Sequence, residues 1–207
     1  MRPFRRLSLL LVSPLALAVA AADGQSGQAL YGTCAACHGS KGEGNAALQA
    51  PNIAGLDAVY VARQLNHFRR GVRGSAGDTA ATAMVGAAAV LKSDNEINAV
   101  VAYIAGLSKV KVPSKLSGDA GNGRNYYNGI CSACHGSNGA GNMSLQAPRL
   151  AGVDGDYLLR QYRAFKTGAR GAHADDKFGK QMRAIIKALP NEKTENDVIA
   201  YVAALNP

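Results

Sequence analysis

The sequence predicts an all-α protein made of two tandem copies of one small domain, and three observations carry that expectation. No stretch alternates apolar and polar residues convincingly enough for a half-buried strand, while several segments repeat apolar residues with helical spacing. The chain also repeats itself at an offset of 97 residues: His38-Gly39-Ser40 falls on His135-Gly136-Ser137, Leu48-Gln49-Ala50-Pro51 on Leu145-Gln146-Ala147-Pro148, and Tyr60, Arg63, Gln64 and Arg73 on Tyr157, Arg160, Gln161 and Arg170. One inserted residue near position 80 moves the offset to 98, which pairs Met84 with Met182 and Tyr103 with Tyr201. Finally, all four cysteines lie in two copies of one pentapeptide, Cys34-Ala35-Ala36-Cys37-His38 and Cys131-Ser132-Ala133-Cys134-His135.

The elements follow in order. A helix from Ser26 runs through Leu30 and Tyr31 into the first pentapeptide, and a glycine-rich loop over 39–44 lets backbone pass close to a large ligand. After Pro51, Asp57 is placed to cap a helix with Val61, Leu65 and Phe68 on one face, closing at Gly71. The apolar segment 79–91 contains Met84, and Ser93-Asp94-Asn95-Glu96 reads as a capping box opening a helix with Ile97, Val101, Ile104 and Leu107. The second copy repeats the plan. A helix through Tyr126, Tyr127 and Ile130 enters Cys131, Asp156 caps a helix with Leu158, Tyr162 and Phe165, and Thr194-Glu195-Asn196-Asp197 opens the last helix.

These elements set the domain limits at 23–107 and 119–207, joined by a linker over 108–118 that contains Pro113 and no acidic residue. Residues 1–22 read as a secretory signal peptide: Arg2, Arg5 and Arg6 precede an apolar run from Leu7 to Ala20, then small residues. The run is short for a membrane span, so cleavage is expected over retention as an anchor, and the mature chain is expected in the periplasm or on a membrane facing it.

Charge narrows the partners. The formal charge is +9, of which three belong to the signal arginines; residues 23–107 are neutral, and the linker and the second domain each carry +3. An exported chain has little access to nucleic acid, so this excess points to redox proteins with acidic docking surfaces or to a membrane surface.

The pentapeptides carry the chemistry. Cys-x-x-Cys-His is the spacing of covalent c-type haem attachment, with two thiols for the vinyl groups and the next histidine for the iron. A thioredoxin-like pair needs a βαβ setting that is absent, and zinc does not require a histidine after the second cysteine in both copies. Two covalent haem c groups are expected, on Cys34, Cys37, Cys131 and Cys134, with His38 and His135 as axial ligands. Each domain is small and short of large apolar side chains, so haem would supply much of its core.

The sixth iron position decides the function. Met84 and Met182 are matched by the repeat, whereas Met143 aligns with Ala46, His67 with Ala164 and His173 with Ala76. Met84 and Met182 are therefore expected as the second axial ligands against their reading as core filler, and His67 and His173 are expected on the surface. Histidine–methionine ligation raises the reduction potential and fills both axial positions, which favours electron transfer over catalysis.

The two Cys-x-x-Cys-His motifs, the glycine loops, the Ala-Pro-x-Leu/Ile-Ala-Gly segments, the Tyr-x-x-Arg-Gln helices, the Gly-x-Arg-Gly turns and the late methionines together resemble the di-haem cytochromes c of the c4 type. The resemblance spans essentially the whole mature chain and implies two class I cytochrome c domains, each wrapped round one haem, packed across a pseudo-twofold interface with propionate edges near each other. By position it implies that the Pro51 and Pro148 carbonyls accept from the Nδ1 protons of His38 and His135. It leaves Arg73 and Arg170 open between propionate contacts and solvated helix ends. It implies a periplasmic carrier passing single electrons between respiratory partners, a membrane-bound oxidase among them, with no small-molecule substrate. The alternatives are an electron-transfer subunit of a larger oxidoreductase, and a di-haem peroxidase or thiosulfate-oxidising enzyme, which needs a replaceable or unusual iron ligand.

Overall fold

In the computed structural model, which describes residues 25–74 and 79–206, one helical plan is executed twice. The expected signal peptide lies outside the described residues. In the first half, α1 (Gly27–His38) crosses α4 (Asp94–Gly106), while α2 (Ala58–Arg69) packs on α3 (Thr79–Ala88) and on α4. In the second half, α5 (Ala120–Tyr126) packs on α9 (Glu192–Ala204), and α7 (Gly155–Thr167) lies against α8 (Lys177–Ile185) and α9. Between α5 and α6 (Ser132–His135) the backbone widens into a π-helical turn, Tyr127–Cys131, so the second motif is reached through a distortion that α1 lacks. Among the described residues, extended pairing is confined to two repeat-related isolated bridges, Asn45–Ala50 and Asn142–Ala147. No helix among them is long and apolar enough to cross a membrane.

The helix starts follow local hydrogen-bond chemistry. Ser26 and Asp57 cap α1 and α2, and Ser93 with Glu96 forms the full capping box of α4. Two starts differ from expectation. Asp154, not Asp156, caps α7, because its carboxylate reaches Tyr157 N at 2.7 Å while Asp156 already lies in the first turn. The last helix begins earlier, with Asn191 accepting from Thr194 N at 2.9 Å. Asp197, freed from capping, turns inward and accepts from Lys193 Nζ, Asn122 Nδ2 and the Asp119 amide, at 2.7, 2.7 and 2.9 Å. Those donors hold its carboxyl down to about 2 and tie α5 to α9.

The halves have separate apolar cores, centred on Tyr31, Leu65, Phe68, Ile97 and Val100 in one and on Tyr127, Tyr162, Phe165, Val198 and Val202 in the other. Leu56 packs against both. Each core includes a tyrosine pair, Tyr31–Tyr103 and Tyr127–Tyr201, with ring centroids 5.1 and 5.6 Å apart. The close helix crossings need glycine: a Cβ on Gly27 would lie 2.1 Å from Ala99 O, and one on Gly123 2.2 Å from Asp197 O. Since backbone cannot yield as a flexible side chain can, Gly123→Ala is expected to destabilise the fold by at least about 1–3 kcal/mol in denaturant unfolding. Gly32→Ala, with nothing within 4 Å of the added carbon, is expected to stabilise α1 by about 0.4–1 kcal/mol instead.

Candidate cofactor sites and the interface between them

Each Cys-x-x-Cys-His motif ends its helix beside a tightly wound loop. Gly44 N donates to His38 O at 2.8 Å, the Gly42 carbonyl accepts from both Ile53 N and Ala54 N, and Gly141 and Gly139 repeat these contacts. A Cβ on Gly44 or Gly141 would meet the amide of Asn52 or Arg149 at 2.6 Å, and both glycines have positive φ, so the loop closes only around glycine. Tyr31 and Tyr127 pin the loop from below, each hydroxyl donating at 2.7 Å to the carbonyl of Gly39 or Gly136.

The closed loop delivers a carbonyl to each buried imidazole. His38 Nδ1 lies 2.8 Å from Pro51 O, and His135 Nδ1 lies 2.9 Å from Pro148 O. A carbonyl can only accept, so the proton sits on Nδ1 and Nε2 keeps its lone pair. Burial pushes both imidazoles below the usual histidine range, against the proline carbonyls, which keeps them neutral and fit to ligate a metal.

One continuous, mainly apolar cavity of about 320 Å³ serves both halves; Cys34, His38 and Met84 line one end, and Cys131, His135 and Met182 the other. Both methionines are half-buried against the core of their own half. Cys37 and Cys134 are exposed, while burial raises Cys34 and takes Cys131 to about 11. All four thiols are free. Met143 begins a 3-10 turn away from this arrangement, and His173 is exposed, as expected.

Between the two ends the halves exchange hydrogen bonds in a pseudo-twofold pattern. Arg73 donates to Gln64 of its own half at 2.8 Å, and to Gln161 and Tyr157 of the other at 2.7 and 3.2 Å. Arg170 mirrors it with Gln161, Gln64 and Tyr60 at 2.8, 3.0 and 3.2 Å. Burial opposes ionisation of the Tyr60 phenol, but Arg170, Arg73 and Arg63 outweigh it and bring the group down to about 8. On the flanks Arg63 reaches Gln146 O and Arg160 reaches Gln49 O, each at 2.9 Å, both glutamines holding a left-handed backbone. Asn52 donates to Gly152 O and accepts from Asp154 N, while its repeat partner Arg149 donates to Ala54 O at 3.1 Å and to Ala151 O.

An open alternative closes here, and one expectation changes. Arg73 and Arg170 are not solvated helix ends; they are 5% and 9% exposed, because neutral oxygens of both halves surround them. His67 is not on the surface; it is buried against the second half, with Nδ1 left without a hydrogen-bond partner. The crossing roles of Asn52, Arg149 and the glutamine–tyrosine pairs were not foreseen, although Tyr60, Gln64, Tyr157 and Gln161 stood in the repeat as a signal.

The geometry fits a flat apolar group with an anionic edge. The walls are apolar, the thiols flank a free imidazole lone pair, and the Nε atoms of Arg73 and Arg149 are buried without a partner. Among the described residues the hydrogen bonds of Arg73, Arg149 and Arg170 go to neutral oxygens, and buried cations in that state call for an anion.

Two helical domains, each presenting a Cys-x-x-Cys-His motif to a shared apolar cavity, define a tandem covalent-haem protein. The cytochrome c family profile matches residues 24–108 and 120–206, and the chain belongs to that family. Membership implies covalently bound haem c, and the two motifs are consistent with two haems. The chain is 29% identical to cytochrome c4 of Azotobacter vinelandii over 96% of both chains. It is 33% identical to the thiosulfate dehydrogenase electron acceptor of Stutzerimonas stutzeri (strain A1501) over 83% of both. The crystal structure of reduced recombinant cytochrome c4 from Pseudomonas stutzeri superposes with a TM-score of 0.69 at 26% identity, covering 88% of this chain and 100% of that one. The chain is thus homologous to di-haem cytochrome c4 and is a cytochrome c4-like electron carrier.

Gln161 Oε1 accepts from both interface arginines, so Gln161→Leu leaves two buried donors short of a partner. The haem-loaded variant is expected to lose about 1–3 kcal/mol in denaturant unfolding, as for a buried unsatisfied polar group.

Proposed function

We propose that the chain, exported by residues 1–22, works in the periplasm as a di-haem carrier of single electrons between redox proteins, with domains over 23–107 and 119–207 and a linker over 108–118. The observation that carries this is the repeat-related set at each end of the shared cavity: Cys34, His38 and Met84 at one, and Cys131, Cys134, His135 and Met182 at the other, with each histidine anchored through Nδ1. In this reading Cys34, Cys37, Cys131 and Cys134 hold the haems, and His38 with Met84 and His135 with Met182 ligate the two irons. The haems, when bound, supply a one-electron iron couple whose potential thioether ligation raises. The protein's share is orientation and exclusion of water. Pro51 and Pro148 fix the imidazoles, the apolar cores wall off solvent, and Arg73 and Arg170 offer buried positive charge to the propionates.

If His38 with Met84 and His135 with Met182 hold the two irons, the chain itself would supply both ligands to each and leave no position for oxygen or peroxide, which argues for a carrier over a peroxidase. The similarity to a thiosulfate dehydrogenase electron acceptor favours a second, narrower reading, in which the electron donor is an enzyme of that kind and a terminal oxidase is the onward partner. Co-purification from membranes separates a free carrier from a subunit of such a complex.

The ferric optical spectrum tests the ligands. Met84→Ala and Met182→Ala are each expected to remove about half of the weak long-wavelength sulfur-to-iron band, lower the potential of one haem and open it to exogenous imidazole. A full-strength band in either variant overturns that assignment.

A second expectation concerns docking. Lys177, Lys180 and Lys187 are exposed on and just after α8; Lys180 Nζ donates to Ala174 O, and Lys111 Nζ to Ala204 O and Asn206. Exposed charges are screened over ~8 Å at physiological ionic strength. Electron exchange with an acidic redox protein is expected to slow as salt rises, and the triple change K177Q, K180Q and K187Q to flatten that dependence; a wild-type rate indifferent to salt would rule out charge-guided docking.

A further inference from the structure

His67 on α2 breaks the twofold pattern, because its repeat partner on α7 is Ala164. The imidazole is buried at the boundary between the halves, its Nδ1 has no hydrogen-bond partner, and that atom lies 3.9 Å from Oδ1 of Asp176 in the other half. The gap is too long for a hydrogen bond to a neutral ring but short enough for an ion pair with a charged one. Asp176 is itself 5% exposed and caps α8 by accepting from Gly179 N at 2.8 Å; six residues further along α8 stands Met182. Packing around the carboxylate is tight, since a Cβ on Gly179 would fall 2.1 Å from its other oxygen. The contact therefore joins the first half to the helix that carries the second half's methionine, with nothing equivalent from Ala164.

The charges around the ring are mixed. Burial opposes protonation, Asp176 favours it, and Arg63 of the same helix, Arg73 of the following turn and Arg170 of the other half oppose it. The net effect places the ring below the usual histidine range, so it is neutral at neutral pH and charges on acidification.

We propose that His67 is a positioning residue for the C-terminal iron site: when protonated it closes on Asp176, holds α8 against the first half, and makes the potential of that site depend on pH more strongly than that of the N-terminal site. This rests on the reading of Met182 as the ligand. The direction follows from charge. A cation added beside the C-terminal site favours the ferrous state, so its potential rises as pH falls through the titration of His67. Asp176, whose Oδ1 lies 3.9 Å from Nδ1, supplies the partner.

The test is potentiometry of the haem-loaded protein from about pH 5 to 8, the range in which histidine charge changes. The two steps are assigned with the Met84→Ala and Met182→Ala variants. In wild type the C-terminal step is expected to rise on acidification relative to the N-terminal step, by up to a tenfold change in equilibrium constant, ~59 mV for one electron. His67→Gln keeps side-chain bulk without the charge, His67→Ala installs the residue found at the repeat position, and Asp176→Asn keeps a capping oxygen while removing the partner's charge. All three are expected to abolish the differential shift. A wild-type pH profile persisting in His67→Gln overturns the proposal, and so does a shift carried by the N-terminal step. Titration of propionates is common to wild type and variants and cancels in the comparison. If Met182→Ala keeps its sulfur band, the ligand reading fails, and the route through α8 falls with it; an altered band in Met182→Ala beside an unchanged pH profile in His67→Gln sinks the present proposal alone.

Discussion

The hydrogen bond from a histidine Nδ1 to a proline carbonyl thirteen residues later is the contact on which each half depends. It fixes the tautomer, and with it the only lone pair that can face the cavity. The backbone between the two residues is wound to deliver that carbonyl: glycines with positive φ make the turns, the Gly42 and Gly139 carbonyls each take two amides, and a tyrosine hydroxyl braces the start. A loop this tight has little room for side chains, which is why glycine recurs at 39, 42 and 44 and again at 136, 139 and 141.

Much of this was legible in the sequence because it is local and written twice. The attachment motifs, the helices ending in them, the Ser93 capping box and the matched methionines rest on short spacings or on comparison of the repeats. The misplaced starts of α7 and α9 came from choosing among several capping residues a few positions apart. Asp154 and Asp156, or Asn191 and Thr194, differ only in which oxygen reaches an amide, and that depends on the path of the preceding chain. The repeat held the better answer in one case, since Asp154 is the counterpart of Asp57.

What lies between the halves was far less legible. Arg73 and Arg170 read equally well as solvent-facing ends, and His67 as an ordinary surface residue, because nothing in their neighbourhoods says that another domain will cover them. Burial by a partner is non-local. The interface also uses unremarkable residue types, glutamine and tyrosine, whose neutral oxygens accept from the guanidinium groups of Arg73 and Arg170. Hydrogen bonding to neutral acceptors beside the cavity is a different solution from the exposed pairs of Arg69 with Asp94 or Arg70 with Asp175.

The pair at positions 52 and 149 bears on how such a protein is inherited. Both residues reach across to backbone carbonyls of the opposite half, one as an amide and the other as a guanidinium. A pair of first halves would carry asparagine at both of these positions, and a pair of second halves arginine at both, so neither would reproduce the mixed set of contacts. The duplicated units have thereby lost interchangeability. Recognition here is between unlike modules, each bringing to the pair a group that its sibling lacks.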